Sequence, residues 1–280
     1  MKKISRRSFL AVAGLSVAAL ALTACGGSAS STASSVASSA AASSEAASTS
    51  AAAGELTTVE AGKLTMATNA AFPPYEMTTD AGEFEGIDIE TAQAIADKLG
   101  LELQIDDMDF DAALLSVQQG KADIVMAGVT VTDERKAVMD FSNSYATGIQ
   151  SIIVPEGSDI ASPDDLADKM IGTQRGTTGY IYCSDDFGDE NVVAYDDGLT
   201  AVQALNNGQV DAVVIDNAPA QEFVAANPGL KILDTSYAEE DYAIGMAKNS
   251  PLEDAVNSAL EELKADGTLQ SIVDKYITAE

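Results

Sequence analysis

From residue 62 onward, short apolar runs alternate with stretches in which apolar positions recur at helical spacing. That alternation predicts α/β units built around parallel strands. Lys63 to Thr68 reads as a strand. Ile89, Ala92, Ile95, Ala96 and Leu99 share one helical face, and Gly100 stands where a left-handed residue ends a helix. Leu101 to Ile105 is again a strand. Asp111 is placed to cap a helix carrying Leu114, Leu115 and Val117, which stops at Gly120, and Ala122 to Ala127 is a buried strand. The second half repeats the scheme. Ser162-Pro163-Asp164-Asp165 reads as a capping-box helix start with proline in the first helical position. Met170 to Gln174 is a strand followed directly by Gly176-Thr177-Thr178-Gly179. Leu199 to Asn206 is helical and closes at Gly208, Val210 to Ile215 is a strand, and Ser250-Pro251-Leu252-Glu253 opens a helix reaching about Ala265.

A shift of 88 residues lays Ala113–Gly128 on Ala201–Asp216, with Gly120 on Gly208, Asp123 on Asp211 and Val125 on Val213. Both copies read helix, glycine stop, apolar strand. Two lobes of like topology follow, with Gln150–Pro155 and Tyr242–Lys248 as extended segments that cross between them. The expected division is 57–150 plus 246–280 for lobe 1 and 151–245 for lobe 2. Ligands of open parallel sheets bind outside the carboxyl ends of strands. Gly128 and Asp216 are therefore expected at equivalent strand ends, facing each other across a cleft.

The first residues change the picture of where this chain works. Lys2, Lys3, Arg6 and Arg7 precede an apolar run, Phe9 to Ala24, that is short for a membrane span. This is the pattern of a signal peptide, expected over residues 1–24. It closes on Leu22-Thr23-Ala24-Cys25, which resembles the lipobox of bacterial lipoproteins, so Cys25 is the expected lipidation site and lipid the expected membrane anchor. Ser5-Arg6-Arg7-Ser8-Phe9-Leu10 also resembles the twin-arginine export signal. Residues 25–56 are then the lipidated cysteine and a Ser/Ala/Gly-rich tether whose composition is too polar and small to bury a core.

Charge and composition remove whole classes of function. The formal charge is −29, and loss of the four basic residues within 1–24 takes it to −33. Nucleic acid and direct adsorption to anionic lipid both call for basic patches, so neither partner is expected. There is no histidine, which removes the serine and cysteine triads and the commonest metal ligand. With Cys25 lipidated, Cys183 stands alone and reads as a small buried residue, so no structural zinc is expected. The carboxylates Asp106, Asp107, Asp109 and Asp111 lack the glycine and terminal glutamate of a calcium loop and read as a solvated turn. No cofactor is expected.

Arg135 stands in the first turn of a helix begun by Thr132-Asp133-Glu134, where a cation opposes the helix dipole. It either pairs with Asp133 or Glu134 or serves as a clamp for a ligand carboxylate. The turn at Gly176–Gly179 follows a strand as a nest of backbone N–H groups for an anion would. Asp216 ends an apolar strand and either caps the next helix or takes a ligand's ammonium group. Phe72 lies before Pro73-Pro74 on an extended loop and Phe110 beside the carboxylate cluster, both available to an apolar side chain. Together the parts complement a zwitterionic α-amino acid.

The motifs Ala67-Thr68-Asn69-Ala70-Ala71-Phe72-Pro73-Pro74-Tyr75-Glu76, Gly86-Ile87-Asp88-Ile89-Glu90, Met108-Asp109-Phe110, Ala127 to Arg135, Gly176 to Gly179, Asp211 to Asp216 and Ala265-Asp266-Gly267-Thr268 resemble those of the amino-acid-binding proteins of polar amino acid ABC transporters, solute-binding family 3. The resemblance covers residues 60–278. It implies an α/β, two-lobed type II periplasmic-binding-protein-like fold, each lobe a mostly parallel sheet flanked by helices, with a two-strand hinge. It implies that Arg135 clamps the ligand carboxylate with the N–H groups of Thr130 and Thr178, that Asp216, the Gly128 carbonyl and the Thr130 hydroxyl take the ammonium, and that Phe72 and Phe110 sandwich the side chain. Relatives for cationic amino acids often carry an acid where Asn69 stands, so a polar neutral ligand such as glutamine or cystine is expected. Arg175 either reaches an acidic ligand side chain or points to solvent. The implied partners are an amino acid, an ABC permease and the membrane by way of the lipid, for a monomeric protein on the outer face of the cytoplasmic membrane. The competing readings are a sensor serving a separate signalling partner and an exported dehydratase with Glu76 as its acid.

Overall fold

The computed structural model describes residues 56–277. The expected signal peptide, Cys25 and all of the tether except Leu56 lie outside the described residues. The first half runs β1 (Lys63–Thr68), β2 (Ala71–Phe72), β3 (Glu76–Thr78), β4 (Phe84–Glu85), α1 (Ile87–Leu99), β5 (Glu102–Asp107), α2 (Phe110–Gln118), β6 (Ile124–Val125), α3 (Asp133–Val138) and β7 (Met139–Pro155). The second runs β8 (Ile171–Gln174), α4 (Thr178–Phe187), β9 (Val192–Tyr195), α5 (Gly198–Asn206), β10 (Ala212–Asp216), α6 (Asn217–Ala226), β11 (Leu230–Ile232), β12 (Ala238–Ala247), α7 (Glu253–Ala265) and α8 (Thr268–Tyr276).

The strand order is β5-β1-β6-β12-β7-β10-β8-β9, with β11 beside β7. β1 lies parallel between β5 and β6, and β8 lies parallel between β9 and β10. Each parallel triplet is a β-α-β-α-β unit whose first strand is central. The 88-residue match thus lays α2 and β6 on α5 and β10, elements holding the same place in the two triplets. Between the triplets stand β12 and β7, antiparallel to each other along most of their length. β7 continues against β10, and β12 against β6. These two strands are the hinge of a two-lobed molecule, longer than the segments expected from sequence. Their pairing shifts register between Tyr242 and Ala243 and between Ala243 and Gly245.

The core of the first lobe packs α1 through Ile87, Ile95 and Ala96 against Val256, Leu260 and Leu263 of α7. Gly86 takes φ 132, and a side-chain carbon there would collide with the Tyr75 carbonyl. The start of α1 therefore lies directly against the Tyr75–Glu76 backbone, with the Asp88 N–H donating to the Tyr75 carbonyl at 2.8 Å.

Three sequence expectations give way. The residue capping α2 is Asp109, without a side-chain cap bond, while Asp111 Oδ1 accepts only from the adjacent Ala112 N–H. The capping box at Ser162 forms, but the helix it opens is one 3-10 turn, Pro163–Leu166, because Ala167 is extended and Asp168 takes φ 63. Of Ala122–Ala127 only Ile124–Val125 ladders as strand.

Candidate functional site

A cavity lies where the two sets of strand ends meet. Asn69, Phe72, Phe110, Gly128, Thr130 and Arg135 line it from the first lobe, and Thr178 and Asp216 from the second. Gly128 and Asp216, paired by the internal repeat, border the same space.

Arg135 is buried, at 8% exposure. Thr132 caps α3 by accepting the Arg135 N–H at 3.1 Å, which fixes the backbone that carries the guanidinium. The guanidinium donates to the Thr130 carbonyl at 2.7 Å and to the Gly176 carbonyl of the other lobe at 3.1 Å. It sits over the Phe110 ring, 5.4 Å from the centroid. Among the described residues it forms no ion pair, and Asp133, its expected competitor, is almost wholly exposed and reaches Lys136 instead. A guanidinium has five N–H donors, so most of them remain for an anion. Burial lowers its pKa and the nearby Glu240 opposes that shift; the group stays charged at any physiological pH.

Asp216 occupies the N-cap position of α6 but makes no side-chain cap bond. Its carboxylate turns into the cavity instead, accepting from Gln150 Nε2 at 2.7 Å and from the Tyr242 hydroxyl. Burial is the main cause that pushes its pKa up to about 7, with the Glu240 charge adding to it. Gly128 takes φ 54 and donates its N–H to Asp88 at 3.0 Å. A side-chain carbon at Gly128 would lie 2.8 Å from the Phe72 ring, so glycine is what lets the aromatic close over the strand end.

Asn69 spends its side-chain amide on structure. Its Nδ2 donates to the Met108 carbonyl at 3.0 Å and its Oδ1 accepts from Gln174 at 2.8 Å. Arg175 does not join the cavity: its half-exposed guanidinium reaches the Ala194 carbonyl at 3.3 Å and Asp196 at 3.5 Å.

Sequence reasoning missed four polar contributors. Glu240 Oε2 accepts from the Thr130 hydroxyl at 3.1 Å, the Thr178 hydroxyl at 2.8 Å and Gln150 at 3.1 Å. Gln150 and Gln174 line the cavity, and Tyr242 holds Asp216. Glu240 falls in the acidic run Glu239-Glu240-Asp241 and reads as solvated; the period of two along β12 was the signal that could have turned it inward. Glu76, weighed only as an acid catalyst, is wholly buried, lines the cavity, and has no hydrogen-bond donor on either oxygen. Burial, then the Asp88 charge, holds its pKa well above the usual carboxylate range.

Residues 64–279 match the family model of bacterial extracellular solute-binding proteins, family 3. The chain is 32% identical over 226 residues to the L-cystine-binding protein TcyJ of Escherichia coli (strain K12), covering 79% of this chain and 85% of that one. Among solved structures it is similar to an ancestral arginine-binding protein bound to glutamine, with TM-score 0.75, 41% identity, and 79% of this chain and 100% of that chain covered. It is also similar to the amino acid ABC transporter substrate-binding protein AbpA from Streptococcus pneumoniae Canada MDR_19A bound to L-arginine, with TM-score 0.73, 37% identity, and 77% and 94% covered.

Proposed function

This chain belongs to family 3 of the bacterial extracellular solute-binding proteins, and we propose that it takes a free α-amino acid with a basic side chain and passes it to an ABC importer. It is a binding protein and not an enzyme. Arg135 holds the ligand carboxylate with the backbone N–H groups of Thr130 and Thr178, and Asp216 with the Thr130 hydroxyl takes the ammonium. Phe72 and Phe110 flank the side chain. The two lobes close on the ligand by bending of β7 and β12.

The observation that carries the side-chain reading is Glu76: a buried carboxylate in the cavity wall with neither oxygen reached by a donor. Burying an ionised carboxylate without a partner is expensive, and a basic side chain supplies the partner. Asn69 had favoured a neutral ligand, but its amide is engaged with Met108 and Gln174, so it carries little information about the ligand. A neutral polar side chain is the second reading. It is supported by Glu76 lying against Asp88, which lets Glu76 keep a proton and donate it to a neutral acceptor, and it fits the cystine and glutamine named for two of the similar proteins.

The remaining features are proposals from sequence: export by the signal in residues 1–24, lipidation at Cys25, a tether reaching residue 56, lobes divided at 57–150 plus 246–280 and 151–245, and a monomer delivering ligand at the outer membrane face.

A thermal-shift screen of the chain without its lipid, against the proteinogenic amino acids plus cystine and ornithine, tests the reading. A ligand at 100 times its Kd should add about 2.7 kcal/mol. Shifts with arginine, lysine or ornithine, and none with the corresponding amides and decarboxylated amines, are expected. Shifts confined to neutral amino acids would select the second reading, and none at all would remove both.

A further inference from the structure

We propose that Asp88 is a specificity-determining residue that acts through Glu76: the two carboxyl groups share one proton, kept while a neutral side chain fills the pocket and released to solvent when a cationic one enters. This rests on the amino-acid reading of the cavity.

Glu76 and Asp88 both have zero exposure. Asp88 Oδ2 is fully used, accepting from the Gly128 N–H at 3.0 Å and the Tyr145 hydroxyl at 2.8 Å. Asp88 Oδ1 and both oxygens of Glu76 have no N–H or O–H donor. The Asp88 charge reaches Glu76 and helps to hold its carboxyl protonated. The close approach of Gly86 to Tyr75 and the Asp88 N–H bond to the Tyr75 carbonyl hold them together through the backbone. The charged or titratable groups facing Glu76 are Asp88 on α1, Asp107 at the end of β5 and Asp216 at the end of β10, while Tyr75, Tyr145 and Tyr242 pack about the pair from the β2–β3 turn, β7 and β12. None of them is a cation, and Arg135 in the same cavity is turned to the carbonyls of Thr130 and Gly176. Like charges this close, cut off from water, do not both ionise; one proton belongs to the pair rather than to either residue. An entering guanidinium or ammonium supplies the missing positive charge. The protonated pair plus the cation becomes two carboxylates around the cation, plus one proton in solution.

Calorimetric titration of the purified chain with L-arginine and with L-glutamine, in buffers of different ionisation enthalpy at neutral pH, counts the protons. Arginine is expected to release about one proton more from the wild type than from Glu76→Gln, and glutamine the same number from both. The ratio of the glutamine Kd to the arginine Kd should rise about tenfold per pH unit in the wild type and stay flat in Glu76→Gln; any proton released from Asp216 by the α-ammonium is common to both ligands and cancels. Asp88→Asn should move the pH at which that ratio changes, which a purely structural residue would not do. If Asp88→Asn does not fold, the wild type and Glu76→Gln decide the matter. Equal proton counts for arginine in the wild type and Glu76→Gln overturn the proposal while leaving the ligand reading intact. Absence of heat with either ligand overturns both.

Discussion

Gln174, the last residue of β8, donates its side-chain N–H to Oδ1 of Asn69 at 2.8 Å and so joins the two lobes across the cleft beside the ligand cavity. It stands beside other lobe-to-lobe contacts, among them Arg135 to the Gly176 carbonyl and the Thr130 and Thr178 hydroxyls at 3.4 Å. A neutral hydrogen bond of this kind is worth about 0.5–1.5 kcal/mol net. Gln174→Ala should therefore weaken every ligand by roughly 2- to 12-fold without reordering them. An unchanged series of Kd values would show that the contact contributes nothing to closure.

Arg135→Ala removes the only buried guanidinium among the described residues of the cavity. Truncating one partner of a buried charge pair costs about 2–5 kcal/mol, and loss of this order is expected for an amino acid. The same ligand as its α-amide, which lacks the carboxylate, should lose far less. Calorimetry on both ligands makes the comparison, and equal losses would place the carboxylate elsewhere.

The cavity acids tie stability to pH. Burial raises Asp216 to about 7 and Asp88 to about 6, both above an unfolded aspartate. The folded chain thus binds more protons than the unfolded chain between about pH 4 and 7, so this contribution strengthens as pH falls through that window. The ligand-free protein should melt higher at pH 5 than at pH 8, by about 2–4 °C per kcal/mol gained. Ligand-induced stabilisation should run the other way, because a protonated Asp216 no longer attracts an ammonium. A melting temperature that climbs with pH in the empty protein would contradict the burial of these groups.

Gly128→Ala places a side chain at φ 54 and 2.8 Å from Phe72. The left-handed backbone alone costs about 1–2 kcal/mol, and the ring must also move. Both the urea midpoint and amino-acid affinity should fall. A variant as stable as the wild type and equally tight would mean that Phe72 does not close over this strand end.

Much of this was legible from the chain because it depends on local pattern. The β-α-β-α-β unit showed in helical spacing and glycine stops, and the 88-residue repeat pointed Gly128 and Asp216 at one space, which both of them line. What stayed hidden depends on partners far away in sequence. Nothing near Arg175 says that it meets Asp196, and nothing near Glu240 says that it faces Thr130 and Thr178. Nothing near Asn69 says that its side-chain oxygen meets Gln174, 105 residues on. The helix expected after Ser162 failed for a local reason, a backbone turn at Asp168 with no proline or glycine to announce it.

The crossing strands supply more than a joint. Gln150 lies on β7 and Glu240 and Tyr242 on β12, and these three side chains support Asp216, Thr130 and Thr178. The part proposed to hold the features common to all amino acids is thus supported by the element proposed to bend. The part proposed to meet the variable side chain, Phe72, Glu76 and Phe110, is carried by other elements of the first lobe. On the proposed ligand reading, substitutions among residues 72–110 change what is carried while Asp216, Thr130 and Thr178 keep their support from β7 and β12.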